Sequence, residues 1–182
     1  LLHYQPQVDL ATGRISGAES LLRWNDPELG QVSPEVFVPI AEEYGLIIPI
    51  SEWLVREACQ QGQQWLDRYN YPITMAINIS AVHFNGHDLE GLIARTLDQS
   101  GFEAQYLELE LTESSILNDP DLAISTLENL QRMGLQTSLD DFGTGYSSLN
   151  YLMKLPLNKL KIDRSFVQNM GKNNRSISIV SA

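Results

Sequence analysis

The sequence predicts an α/β fold on a mostly parallel sheet. Two observations carry this. Apolar stretches of strand character alternate with segments of helical periodicity along the chain. Of the 182 residues, 43% are hydrophobic, 8% aromatic and 19% charged, a globular balance that excludes wholesale disorder. That length gives one domain, and no repeat, low-complexity segment or long linker divides it.

The elements follow in order. His3 to Leu10 is extended and ends at a Thr12-Gly13 turn. Ile15 to Trp24 reads as a strand running into a Pro/Gly loop, Asn25 to Pro34. Pro34 to Tyr44 is a short helix with Ser33 as N-cap and Gly45 as its stop. A second helix begins at Ser51, with Trp53, Leu54, Ala58, Trp65 and Leu66 at helical spacing. Strands are expected over Ile73 to Ser80, Leu107 to Thr112, Leu135 to Phe142 and Leu160 to Asp163. Helices are expected over Leu89 to Gln99, ending near Gly101, and Leu122 to Met133, stopped by Gly134. A Gly-rich turn precedes the segment Leu149 to Leu155, and Arg164 to Met170 and Arg175 to Ala182 read as helix or loop.

Two architectures compete, an open doubly wound sheet and a (β/α)8 barrel. The open sheet wants an early GxGxxG phosphate loop, and none is present. A complete barrel takes ~250 residues, so a barrel here is an incomplete one of about six strands.

Charge narrows the partners. Twelve Lys and Arg against 23 Asp and Glu give a formal net charge of -11. That disfavours binding to a DNA or RNA duplex and to anionic membranes, while leaving an anionic ligand open where a metal or local cation neutralises it. The lone Cys59 excludes an internal disulfide and reads as a small buried thiol. No apolar run approaches the ~18–20 residues of a membrane span. The chain opens at LLHYQP without Met, which is expected of a piece cut from something longer.

Acids interrupt apolar strands at or near their C-terminal ends: Glu19, Glu110 with Glu113, Asp140 with Asp141, and Asp163 beside Lys161, together with the amide of Asn78. In a barrel those ends converge on the active-site face. Buried carboxylates cost several kcal/mol unless paired or metal-bound. The donors are oxygens, and His3, His83 and His87 form no spaced pair with Cys, so Mg²⁺ or Mn²⁺ fits better than zinc. Asp140-Asp141 suits a pair of cations, the usual device for attacking a phosphodiester with water. Lys161 suits a water or a phosphate charge, and Arg23, four after Glu19, a phosphate oxygen. Taken singly, Glu19 reads equally as a buried salt bridge, Asn78 as a core amide and Lys161 as a surface lysine. Gly143 and Gly145 read as a functional turn or as a helix-start turn with Thr144. Trp24, Trp53, Trp65 and Phe142 read as core, and His83 and His87 as surface or loop.

YQP (Tyr4 to Pro6), ESLLRW (Glu19 to Trp24), NIS (Asn78 to Ser80), ELTES (Glu110 to Ser114), DDFGTGYSSL (Asp140 to Leu149) and LKIDRSF (Leu160 to Phe166) occur in order along the chain. Together they resemble the motifs of EAL domains, bacterial phosphodiesterases for cyclic di-GMP. The resemblance implies a modified (β/α)8 TIM-like barrel with its first strand antiparallel, using Mg²⁺ or Mn²⁺ to linearise cyclic di-GMP to 5′-pGpG. Carried over, Glu19, Asn78, Glu110 and Asp140 match metal ligands, and Asp141 serves a second metal. Lys161 matches the active-site lysine. Glu113, counted with it in the catalytic machinery, anchors the loop from Asp140 to Ser148, which is tied to dimerisation. Gln5 and Arg23 match substrate contacts. Family members adjoin sensor or GGDEF domains, which implies a cytoplasmic site of action, with the parent often tethered to the inner membrane.

Two departures stand out. The signature triplet reads Glu-Ser-Leu, which keeps the carboxylate. The AEGVE-like strand with the proposed general base, and the QGY-like motif after it, do not occur before Ala182. The expectation is that two βα units are missing, with unpaired edges and poor folding or activity of the fragment alone. Two functions follow: a phosphodiesterase in the intact parent, or an inactive module that binds cyclic di-GMP or a protein partner. An acid at the AEGVE position beyond Ala182 separates them.

Overall fold

Strand β1 (Leu2–Val8) folds back antiparallel on β2 (Ile15–Leu22), pairing Tyr4 with Ser20, Gln5 with Glu19 and Pro6 with Ala18. In this computed structural model, residues 1–86, 88–117, 119–142 and 154–168 are described. From β2 onward the main sheet is parallel, through β5 (Thr74–Asn78), β6 (Leu107–Thr112), β7 (Gln136–Phe142) and β8 (Lys159–Ile162). The order β1-β2-β5-β6-β7-β8 curls into a half-barrel, an incomplete TIM-like barrel with its first strand antiparallel.

Period-two alternation assigns the two faces. Met75, Ile77, Leu107, Leu109, Leu111 and Leu139 point outward and are buried. They pack under α2 (Ile47–Tyr69), α4 (Leu89–Ser100) and α6 (Pro120–Arg132), which contribute Leu54, Val55, Ala58, Ile93, Leu127 and Leu130. Their intervening neighbours Asn78, Glu108, Glu110, Ser138 and Asp140 face the barrel interior. Gly62 lets α2 lie close: a Cβ there would stand 2.7 Å from Phe102 and 2.8 Å from Met75.

Local signals set the helix ends. Asp88 and Asp119 cap α4 and α6, their carboxylates accepting from Gly91 N–H at 2.9 Å and Leu122 N–H at 3.1 Å. Gly101 closes α4 in the left-handed region at φ 72°. Ser33 stands at the N-cap of α1 (Pro34–Glu43), but its side chain makes no cap bond; its carbonyl accepts from Val36 N–H instead.

Several expectations are corrected. The strand from Ile15 stops at Leu22, and the expected loop holds a hairpin, β3 (Trp24–Asp26) against β4 (Gly30–Val32). Helix α2 begins one turn before Ser51, at Ile47, because Pro49 is tolerated in a first turn. Two short helices, α3 (Ala81–Gly86) and α5 (Glu113–Leu117), were not expected. His83 lies on α3 and is buried, not at the surface. Trp24 is 43% exposed rather than core, edge-on to Phe37. Cys59 is buried, and burial pushes its thiol pKa up to about 12. After β8 a short α7 (Arg164–Gln168) follows. The readings at His87, Gly143 to Gly145, most of Leu149 to Leu155, Met170 and Arg175 to Ala182 lie outside the described residues.

Candidate active site

Carboxylate oxygens of Glu19, Glu110 and Asp140, from β2, β6 and β7, lie within 4.8 Å of one another. Alternation puts all three on the interior face, and the register steps them up the sheet, Glu19 level with Ala76, Glu110 with Asn78 and Asp140 with Thr112, so strand tilt brings their oxygens together. Lys161 reaches in from β8. Its ammonium donates to Glu110 Oε2 at 2.6 Å, Asp140 Oδ2 at 2.8 Å and Glu19 Oε2 at 3.4 Å. Asn78 Nδ2 donates to Glu19 Oε1 at 2.9 Å, leaving its oxygen as the remaining acceptor.

Three carboxylates share one ammonium, so the cluster carries excess negative charge. Burial of Glu110, helped by the charges of Glu19 and Asp140 and opposed by Lys161, raises its pKa to about 7. Burial works against the charge on Lys161, but its hydrogen bonds to Asp140 and Glu110 outweigh this, and its pKa stands above the ordinary lysine value. Glu110 Oε1 is buried without a hydrogen-bond partner among the described residues. An all-oxygen donor set with an unpartnered buried oxygen fits a hard divalent cation.

Asp141 lies outside that group of three. It sits in the left-handed region at φ 55°, where the β7–β8 register shifts, and its N–H donates to Asp140 Oδ1 at 2.8 Å. Burial, then the charges of Asp140 and Asp163, raise its pKa. Asp163 caps α7, accepting from Ser165 N–H at 2.9 Å. Gln5 shares the interior face beside Glu19 through its cross-strand pairing. The Arg23 guanidinium donates to the Leu22 carbonyl, and Arg23 lines a cleft of about 480 Å³ with Gln31, Ser33 and Glu35. Glu113 starts α5, buried, with neither oxygen partnered among the described residues. A second cavity of about 360 Å³, lined by Asn78, Thr112 and Ser114, adjoins the cluster. The apolar cleft of about 540 Å³ under Tyr4, Pro6, Ala18 and Trp65 is on the opposite face of the sheet, away from the carboxylates.

Sequence reasoning missed one pair. Lys159 Nζ meets Oε2 of the fully buried Glu108 at 2.5 Å. The signal was present, because LELEL and KLK place Glu108 and Lys159 two residues before Glu110 and Lys161 on the same faces.

The fold and the cluster define an incomplete TIM-like barrel with an acidic, cation-binding type of site at the C-terminal ends of its strands. The EAL domain family model matches residues 1–182, and the chain belongs to that family. It is 43% identical over 182 residues to the bifunctional diguanylate cyclase/cyclic di-GMP phosphodiesterase MucR of Pseudomonas aeruginosa, covering 100% of this chain and 27% of MucR. It is 38% identical over 181 residues to the cyclic di-GMP phosphodiesterase NbdA of the same organism, covering 100% of this chain and 23% of NbdA. The solved MucR phosphodiesterase in complex with c-di-GMP superposes with a TM-score of 0.94 at 43% identity, over 100% of this chain and 73% of that one. The EAL enzyme Bd1971 in its cAMP- and cyclic-di-GMP-bound form gives 0.91 at 36% identity, over 100% and 50%. The chain thus spans about a quarter of the length of the curated relatives it matches. Among the described residues, no helix is long and apolar enough to cross a membrane.

Proposed function

We propose that the domain hydrolyses cyclic di-GMP to 5′-pGpG with Mg²⁺ or Mn²⁺. The observation that carries this is the convergence of Glu19, Glu110 and Asp140 around Lys161, in a fold shared with the MucR phosphodiesterase and its c-di-GMP complex.

In this reading Glu19, Asn78, Glu110 and Asp140 hold one cation, and Asp141 serves a second. The cations supply Lewis acidity toward the phosphate and lower the pKa of water. The protein's own groups do the rest. The Lys161 ammonium offsets charge gathering on the phosphate oxygens. Arg23 takes a phosphate oxygen as a fixed cation, and Gln5, beside Glu19, orients the substrate. Glu113 holds the segment that follows Asp140. Water adds to phosphorus, the P–O3′ bond breaks, and O3′ leaves with a proton.

We further infer that residues 1–182 make up the larger part of one EAL domain, supported by the 73% coverage of the MucR chain, with the general base outside these residues. The bifunctional MucR name supports fusion to a diguanylate cyclase (GGDEF) module; a sensor module, action in the cytoplasm and a homodimer are part of the same proposal.

The test is a Mg²⁺- or Mn²⁺-dependent assay of the full-length protein, separating 5′-pGpG by chromatography. Wild type should produce it and Asp140→Asn should not. Unchanged turnover in Asp140→Asn removes the ligand assignment. Tight cyclic di-GMP binding without product by wild type makes the domain a receptor.

A further inference from the structure

We propose that the Lys159–Glu108 ion pair is a positioning device for Lys161, setting the height of β8 against β6 so that the Lys161 ammonium meets Glu110 and Asp140. Only the kinetic arm of its test rests on the phosphodiesterase reading.

Two lysines of β8 reach across β7 to two glutamates of β6, Lys159 to Glu108 and Lys161 to Glu110. Each pair is 51 residues apart in sequence, so the two form successive rungs of one ladder. The lower rung lies where the backbone is regular. Ser138 pairs with Lys159 and Leu139 with Leu160, and Asn158 below them takes Thr137 N–H on its side-chain oxygen at 2.9 Å. The upper rung lies where regularity ends: the β7–β8 register shifts between Leu139 and Phe142, beside the left-handed Asp141. Backbone pairing therefore skips Lys161 and resumes only at Ile162 with Phe142, and the last side-chain tie before the shift is Lys159 to Glu108.

The pair makes a poor stability device. Glu108 is 0% exposed, Lys159 is its one hydrogen-bond partner among the described residues, and its other oxygen has none. A buried charge so incompletely satisfied is readily replaced by apolar side chains. Its geometric effect is specific, however. A one-residue slip of β8 would turn both lysines to the outer face and leave Glu108 charged and unpaired.

The test compares the full-length wild type, Lys159→Arg, and the double variant Glu108→Leu/Lys159→Leu. Glu108→Gln/Lys159→Met, nearer in shape, is a second double variant read the same way. The chain has four lysines, Lys154, Lys159, Lys161 and Lys172. Acetylation by a water-soluble active ester, followed by digestion and mass spectrometry of the peptides carrying these four residues, reports on Lys161 directly. The expected result is severalfold faster labelling of Lys161 in the double variants at a retained thermal midpoint, with Lys159→Arg like wild type. In the hydrolysis assay kcat should fall about tenfold, with KM unchanged, in keeping with a displaced catalytic group. Unchanged Lys161 labelling overturns the proposal. So does faster labelling that accompanies collapse of the thermal midpoint, which marks general loosening. If wild type cleaves no cyclic di-GMP, the phosphodiesterase reading fails, and labelling still decides this one.

Discussion

Lys161 Nζ lies 2.6 Å from Glu110 Oε2, although the two residues are 51 positions apart and on strands separated by β7. The sheet's curl makes this contact, carrying a β8 side chain over the intervening strand to β6. The acids and the lysine thus form one electrostatic unit, and a change in any member is felt by the others.

Loss of one carboxylate should weaken cation binding independently of turnover. Glu19→Gln and Asp140→Asn are each expected to lower Mn²⁺ affinity at least about tenfold by titration calorimetry. Equal affinity in both variants and wild type would place the cation elsewhere.

Stability should depend on pH through Glu110. Its pKa is raised from the ordinary 4.5 to about 7 in the folded state, so that state binds the extra proton. The associated stability is full below about 4.5 and is lost as pH rises through about 7. With chelator present, the thermal midpoint of wild type should fall relative to Glu110→Gln across that window. Parallel curves for the two proteins would contradict the raised pKa.

The backbone at Asp141 predicts an unusual rank order. At φ 55° a side chain is strained and glycine is not. Asp141→Gly should be more stable than Asp141→Ala by about 1 kcal/mol in urea unfolding, although both lose the carboxylate. The reverse order would mean the left-handed conformation does not persist.

Gly62 should resist enlargement. A Cβ meets Phe102 and Met75 at 2.7–2.8 Å, so Gly62→Ala is expected to cost about 1–3 kcal/mol through overpacking. Denaturant midpoints measure this, and Phe102→Leu in the same chain should recover part of the loss.

Legibility in the sequence followed the range of the physics. Leu107 to Thr112 matches β6 at both ends because its alternation is unbroken and every residue but Thr112 is buried. The hairpin at Trp24–Asp26 and Gly30–Val32 was missed because strands of three residues carry too little periodicity to separate from a loop. Helix α3 escaped for a similar reason, being six residues long. His83, read as surface or loop, is buried because neighbouring elements close over it, which no local pattern records.

The sequence by itself determined the fold class, the inward row of acids and the family motifs, because alternation and residue type are local properties. It also singled out Glu19, Glu110, Asp140 and Lys161. Tertiary structure decided which of the singled-out residues meet. It joined those four, set Asp141 beside the cluster in a left-handed turn, and left Arg23 lining a separate cleft. It also placed Glu108 under Lys159. The reason is that strand register and sheet curvature are fixed by packing between elements far apart in the chain, and distances between side chains on different strands depend on both.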